Sequence, residues 1–106
     1  MFFELRFYPV KPGKMEEWVN QMEEVVIPFQ VSRGITFVAS FVSLDNPDEY
    51  IWIRRFESEE EKERLYKTIY ESDVWKEQIG PKNGELIDRA NIRVVRMAAT
   101  PKSVIR

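Results

Sequence analysis

The chain has 106 residues, which fits one domain with a single hydrophobic core, and its formal net charge of −2 argues against a nucleic-acid partner. It contains neither cysteine nor histidine. Those two absences exclude disulfides, thiolate or imidazole metal and haem sites, and catalysis by Ser–His or Cys–His pairs. Any chemistry must therefore use carboxylates, Arg, Lys, Tyr, Trp, a bound cofactor or a substrate that ionises readily.

The chain shows no sign of membrane insertion or export. No apolar run approaches the roughly 20 residues that a membrane span needs. The first ten residues alternate apolar with charged side chains and lack the basic and apolar regions of a secretory signal. We therefore expect a cytoplasmic protein that has no membrane partner.

The first predicted strand runs from Phe2 to Val10, where apolar and polar residues alternate. Residues of one parity share a face of a strand, so Glu4, Arg6 and Tyr8 lie side by side. The other face of the strand is apolar. The polar face therefore suits either a ligand or an ion pair.

The first predicted helix begins at Met15, because apolar residues then recur every three or four positions up to Phe29. We expect Pro28 to kink this helix or to end it nearby. Gly34 is the predicted stop, since glycine readily adopts the left-handed conformation that ends many helices.

Two strands follow, predicted at residues 35–44 and 50–56, and a turn-forming cluster between them indicates a hairpin. The cluster holds three acidic residues, Asp45, Asp48 and Glu49. They do not form the twelve-residue loop of a calcium site, so a turn is the favoured interpretation.

Both strands of this hairpin are apolar on both faces. The alternation predicts Phe37, Ala39 and Phe41 on one face of the first strand. In the second strand one face holds Tyr50, Trp52, Arg54 and Phe56, and the other holds Ile51, Ile53 and Arg55. Strands of this kind must be covered on both sides.

A charged amphipathic helix is predicted over residues 59–71, with Ser58 as N-cap and Glu61 completing a capping box. Its mixed charges, Lys62 among them, indicate a solvated face. The inward stripe holds Leu65, Tyr66, Ile69 and Tyr70.

The last third of the chain is predicted to hold a short helix and a final strand. The helix starts at Ser72-Asp73 and ends at Gly80-Pro81, and Asn83-Gly84 forms a loop. One more helical turn fits residues 85–90, and the strand covers 91–99. Residues 1–100 thus form one domain, and residues 101–106 form an irregular tail.

The predicted order β-α-β-β-α-β indicates an α+β, ferredoxin-like fold, in which helices cover one face of a four-stranded antiparallel sheet. The opposite face then carries Tyr8, Trp52 and much of the second strand. Because that face would expose a large apolar patch, we expect a second copy to cover it, sheet against sheet, as a homodimer.

At this point the chain resembles the NIPSNAP domain family. The residues that carry the resemblance are Glu4-Leu5-Arg6, Tyr8, Pro12-Gly13-Lys14, Phe56, Ser58, Glu60, Ser72-Asp73 and Trp75. The resemblance implies the dimeric α/β-barrel superfamily, which includes cofactor-free monooxygenases, isomerases, haem-degrading enzymes and stress proteins. The haem branch is the least similar, since its histidine ligand has no counterpart here.

Two groups of residues are candidate ligand-binding sites. In the first, Arg6 would stabilise an anion and Tyr8 would donate a proton, which makes both of them candidate catalytic residues, while a neighbouring arginine lowers the pKa of Glu4. The alternative for this group is an ion pair that closes the dimer. The second group holds Tyr50, Trp52 and Arg54.

The second group can hold a flat anionic ligand by stacking and charge, or it can pack across the dimer seam. The facing of the strand is open at this stage, and Ile51, Ile53 and Arg55 are the alternative lining of a cavity. Glycines are few and dispersed, so no phosphate-binding loop is predicted.

Three functions remain open from the sequence. The first is a dimeric barrel protein that binds a small, flat, acidic or aromatic molecule, with cofactor-independent oxidation or isomerisation as its chemistry. The second is a non-enzymatic homodimeric module. The third is an aromatic RNA platform, against which the acidic balance and the missing RNP motif argue.

Overall fold

The computed structural model describes all 106 residues and confirms the order β-α-β-β-α-β. The strands are β1 (Phe2–Pro9), β2 (Thr36–Val42), β3 (Glu49–Phe56) and β4 (Arg93–Met97). They form one antiparallel sheet in the spatial order β2-β3-β1-β4. This is the ferredoxin-like arrangement, in which the first and third strands lie at the centre.

The helical segments pack on one face of the sheet. Helix α1 is continuous and consists of Met15–Gln21, Met22–Val26 and Ile27–Ser32. Helix α2 is Glu59–Tyr70, and helix α3 consists of Trp75–Ile79 and Gly80–Leu86. A single 3₁₀ turn, Arg89–Asn91, leads into β4. No helix is long and apolar enough to cross a membrane.

Neither internal proline stops its helix at once. Pro81 lies inside α3, contrary to the prediction that the helix ends there, whereas α1 ends at Ser32, shortly after Pro28, in agreement with the predicted kink or nearby end. Pro28 and Pro81 each follow a π-helical turn, Met22–Val26 in α1 and Trp75–Ile79 in α3. Proline removes one helical hydrogen bond and its ring collides with the carbonyl of the preceding turn. The wider π turn provides room for that ring, so the helix continues.

For the same reason the predicted loop at Asn83-Gly84 is wrong, because both residues lie within α3. The predicted helix ends at Ser58 and Gly34 are confirmed. The backbone N–H of Glu61 donates to Ser58 Oγ at 3.1 Å, and the Glu61 carboxylate accepts from the N–H of Glu57 at 3.0 Å. Gly34 follows α1 with a φ of +109°, which confirms the predicted stop.

The sheet differs from the sequence prediction in which face the helices cover. Tyr8 and Trp52 were predicted on the face opposite the helices, yet both are buried beneath α1. Their ring centroids lie 6.2 Å apart, and Tyr8 lies 5.8 Å from Trp18 of α1. The reason is volume, because large aromatic rings fill the space between a sheet and its helices better than Ile51 does.

The open face of the sheet is nevertheless apolar and partly exposed. Its residues are Leu5, Phe7, Ala39, Phe41, Ile51, Ile53, Val95 and Met97. The chain after β4 has no regular element and runs past Phe3 at one end of this face, where Ile105 lies beside it.

Strand β2 contains a bulge that the alternation did not predict. Phe37 lies opposite Arg54, and Ala39 lies opposite Ile53, so Val38 is one residue too many. Directly opposed residues share a face. Phe37 therefore faces the helices and Phe41 faces the open side, whereas the sequence prediction placed both on one face.

Candidate functional site

The strand register brings the two predicted groups of site residues together. The opposed pairs are Glu4 with Arg54, Arg6 with Trp52, and Tyr8 with Tyr50. All six residues share the face beneath the helices, which confirms that the two strands face the same way. They do not, however, all occupy the same environment.

Glu4 and Arg54 form a buried ion pair at the centre of this face. Arg54 has a side-chain exposure of 0% and Glu4 of 1%, and Nη2 of Arg54 lies 2.6 Å from Oε1 of Glu4. Each terminal nitrogen of Arg54 donates twice: Nη2 to Glu4 and Tyr66, and Nη1 to Gln30 and Tyr70. A charge buried this deeply is tolerated because it is paired and hydrogen-bonded.

Glu4 receives more donors than Arg54 alone supplies. The hydroxyl of Tyr66 donates to its Oε1 at 3.0 Å, and Lys62 Nζ lies 3.0 Å from its Oε2. Burial by itself would raise the pKa of Glu4, but the charge and hydrogen bond of Arg54, with Lys62 and Arg6, lower it to about 2. Glu4 is therefore a permanent carboxylate and a weak base.

Lys62 does not lie on a fully solvated helix face as the sequence predicted. Its side chain is 23% exposed, and its amino group reaches inward to Glu4. The aliphatic stem of a lysine can pack along an apolar surface while its charge finds a partner. Three cations therefore surround one carboxylate, which leaves this cluster with a positive surplus.

Arg6 lies beside this pair but is less enclosed. It is 16% exposed, its Nε donates to the Tyr8 hydroxyl at 3.0 Å, and its Nη1 contacts Glu4 only at 3.4 Å. Nη1 also lies 3.4 Å from Tyr66, while Nη2 donates to no protein group. Arg6 thus keeps an unpartnered edge.

Two tyrosine hydroxyls likewise have a proton that no protein group accepts. The Tyr70 hydroxyl accepts from Arg54 at 3.0 Å and from Gln30 at 3.2 Å, and the Tyr8 hydroxyl accepts from Arg6. Neither hydroxyl donates to a side chain or carbonyl of the protein. Tyr66 differs, since its proton goes to Glu4.

These free donors line one cavity between the sheet and the helices, with a volume of about 220 Å³. Its polar lining is Arg6, Tyr8, Gln30, Tyr66, Tyr70, Asn83 and Arg89, and its apolar lining is Met22, Val26, Trp75, Ile87 and Ile92. The Tyr70 and Trp75 rings meet edge to face with centroids 4.8 Å apart, so one aromatic wall is rigid.

The six predicted ligand residues therefore divide by position. Arg6 and Tyr8 line the cavity, whereas Glu4 and Arg54 lie directly behind that lining. Tyr50 and Trp52 belong to the hydrophobic core, where burial raises the pKa of Tyr50 to about 12. The ring of Trp52 lies 5.0 Å from the Arg54 guanidinium, so it supports that cation from below.

Sequence reasoning missed Tyr66, Tyr70, Gln30 and Arg89 as site residues. Tyr66 and Tyr70 were assigned to the inward stripe of the helix, where an apolar role is the usual one. Two tyrosines four residues apart lie on one face of a helix, one turn apart, and that spacing was the available signal. Burial raises the pKa of Tyr66 despite the opposing charges of Arg54 and Arg6, so its hydroxyl stays protonated.

Comparison with solved structures finds proteins with a similar fold. A NIPSNAP family protein from Agrobacterium tumefaciens strain C58 is 22% identical, with 99% of this chain and 98% of that chain covered and a TM-score of 0.87. A second Agrobacterium tumefaciens protein is 25% identical over 100% of both chains, with a TM-score of 0.89.

A more distant neighbour is an antibiotic biosynthesis monooxygenase, 16% identical, with 95% of this chain and 100% of that chain covered and a TM-score of 0.67. At that identity the likeness concerns the fold alone. No curated protein matches the chain. The NIPSNAP family model matches residues 3–102, which is nearly the whole sequence. The protein therefore belongs to the NIPSNAP family.

Proposed function

We propose that this protein binds a small, flat, acidic or aromatic molecule in the cavity between its sheet and its helices. The observation that carries the proposal is the set of free donors, namely the Arg6 edge and the hydroxyl protons of Tyr8 and Tyr70. Convergent donors beside aromatic and apolar walls are typical of a small-molecule site. A ligand oxygen that bears negative charge satisfies all three.

The same donors favour cofactor-independent isomerisation or oxidation of an enolisable or phenolic substrate. Glu4 has a pKa of about 2 and is held by three cations, so it is a poor proton acceptor at neutral pH. The substrate must then ionise readily by itself. Arg6 and the two hydroxyls stabilise the resulting oxyanion.

For oxidation, dioxygen accepts the electrons of this anion directly. An antibiotic biosynthesis monooxygenase shares the fold, and the lack of histidine and cysteine fits a mechanism that relies on substrate acidity. Arg6 and Tyr8 are the proposed catalytic pair, because both line the cavity and Tyr8 keeps its proton for the substrate oxygen.

A screen of phenols, hydroquinones and enolisable keto acids tests this proposal. Binding is followed by tryptophan fluorescence, for which Trp75 in the cavity wall is a built-in reporter, and turnover by oxygen uptake or by deuterium exchange. We expect at least one class to bind and Tyr70→Phe to weaken it. The control is Arg64→Gln, because Arg64 is exposed on the outer face of α2 and does not line the cavity.

Each outcome of the screen has one meaning. Binding with turnover supports an enzyme. Binding that Arg6→Met abolishes, without turnover, leaves a ligand-binding module. The absence of both across the panel contradicts the proposal and favours the alternative, a non-enzymatic homodimeric module.

We also propose that two copies pair through their open sheet faces. The support is the row of apolar side chains on that face, in which Phe41 is 53% exposed and Ile51 and Ile53 are partly exposed. A stable pairing needs a buried area of about 1,000 Å² or more. Ile51→Asp should give monomers in light scattering, while Arg64→Asp should not. A monomeric wild-type protein at micromolar concentration contradicts this pairing.

A further inference from the structure

Gly84 lies inside a helix where its backbone does not require glycine. It belongs to the segment Gly80–Leu86, and the glycines with a positive φ are Gly13 and Gly34 only. Glycine is the poorest helix former after proline, so a helical glycine without special backbone geometry needs another reason. That reason is steric, because a side chain at position 84 would collide with a neighbouring residue.

The neighbour that uses this space is Arg89. A Cβ atom at Gly84 would lie 2.3 Å from Nη2 of Arg89, 3.0 Å from its Cζ and 3.2 Å from its Nε. The guanidinium therefore lies against the helix at a residue without a side chain. Lys11 Nζ donates to the Gly84 carbonyl at 2.9 Å and closes the other side of this position.

Arg89 lines the cavity from its solvent-exposed end and has no acidic partner. The adjacent Asp88 does not pair with it, because its oxygens accept from the Ala90 N–H at 3.2 Å and from Asn91 Nδ2 at 2.6 Å. By contrast, Arg54 pairs with Glu4, and Lys82 pairs with Glu17. The Arg89 guanidinium is thus positioned by packing, while its donors remain free.

The geometry points to Arg89 as a second anion-recognition residue, which selects ligands that carry a carboxylate. This inference rests on the proposed function of the cavity and adds the chemical class of its ligand. Such a ligand has two oxygen-bearing ends joined by a flat body. One end accepts from Arg6 and Tyr70, and the carboxylate at the other end meets Arg89. Aromatic acids and aryl keto acids that carry a hydroxyl on the ring carbon opposite the acid group have this form.

Gly84→Ala separates this role from a role in folding. Alanine favours the helix, and the atom it meets is the mobile end of Arg89, so the guanidinium moves while the fold stays. We expect an unchanged or higher melting temperature together with about tenfold weaker binding of 4-hydroxyphenylpyruvate or 4-hydroxybenzoate, the loss typical of one charged hydrogen bond. Binding of the neutral 4-hydroxybenzamide should not change.

Arg89→Gln is the second variant and should give the same selective loss, whereas Arg64→Gln, which removes an equal charge far from the cavity, should give none. If both cavity variants bind the two acids as the wild type does, the role of Arg89 is wrong while the proposed function stands. If the wild type binds neither the acids nor the amide in this assay, nor any member of the wider screen, the proposed function itself fails.

Discussion

Arg54 and Arg6 lie on the same face of the sheet, within one cluster, and have opposite roles. Arg54 is fully buried, and both of its terminal nitrogens donate hydrogen bonds to protein acceptors. Arg6 is 16% exposed, and its Nη2 donates to no protein group. The distinction comes from position relative to the helices, since α2 seals Arg54 and the cavity opens beside Arg6. Residue type and strand face are shared, so neither identifies the arginine that lines the cavity.

The comparison also shows how the cavity becomes positive. A single carboxylate, Glu4, compensates Arg54, and no further acid balances Arg6. Arg6 therefore keeps an unsatisfied charge because its neighbour has already taken the available anion. The structural pair creates the condition for the proposed ligand site.

The largest effect is expected from Glu4→Gln. This change leaves Arg54 as a buried charge without its counter-ion, and the loss of one partner of a buried pair costs about 3–5 kcal/mol of unfolding free energy. Urea unfolding measures it. Glu17→Gln is the matched control, because Glu17 and Lys82 are 46% and 42% exposed and such solvent-screened pairs contribute little to stability. If Glu4→Gln lowers the unfolding free energy no more than Glu17→Gln does, Glu4 is not the counter-ion that stabilises buried Arg54.

Acid should break the same pair in the wild-type protein. The folded-state pKa of Glu4 is about 2, below its usual 4.5, so the folded state binds the proton less readily than the unfolded chain. The stability from this group is fully present above pH 4.5 and is lost as the pH falls toward 2. Unfolding free energies across that range should be less pH-dependent in Glu4→Gln. An unchanged slope contradicts the assignment.

Tyr66 and Tyr70 sharpen the comparison, since both accept from Arg54 but only Tyr66 gives its own proton to the protein. We expect Tyr66→Phe to lower the unfolding free energy by about 1–3 kcal/mol, because it leaves buried charged groups unsatisfied. Compared with Tyr66→Phe, Tyr70→Phe should lower the unfolding free energy less and weaken ligand binding more. The reverse order in thermal unfolding and fluorescence titration would refute the division of roles.

The smallest effect on stability is expected from Arg6→Met. Arg6 makes one long contact to Glu4 at 3.4 Å and lies near the like charge of Arg54, so its removal loses little attraction and relieves repulsion. We expect a change below about 1 kcal/mol, as for other weakly paired charges. Ligand binding in the same variant should be lost. A destabilisation as large as that of Glu4→Gln would place Arg6 in the structural pair.

The sequence was sufficient for the fold because each element carries a local signal. Alternation defined the strands, the Ser58 cap and the apolar stripe defined α2, and the element order gave the sheet topology. The covered face could not be predicted, because both faces of β3 are apolar and only side-chain volume distinguishes them. The two π turns were also invisible, since they have no sequence pattern beyond the proline that follows.

The site was predicted only in part, because local patterns group its residues but do not show their long-range contacts. Parity placed Glu4, Arg6 and Tyr8 together, and the register added Arg54. The assignment of each residue to pair, cavity or core depends on contacts across some sixty positions of sequence, such as Arg6 with Tyr66. Spacing along the chain contains no information about such contacts.

The bulge in β2 has a consequence for how this chain tolerates insertions and deletions. Val38 is the extra residue, and the residues on either side of it, Phe37 and Ala39, already lie opposite consecutive positions of β3. Loss of Val38 would therefore leave every other strand partner in place and restore strict alternation. In a strand without a bulge, one missing residue would turn half of the strand inside out. Length variation within this strand should accordingly concentrate at the bulge, where a relative one residue shorter keeps the same two faces.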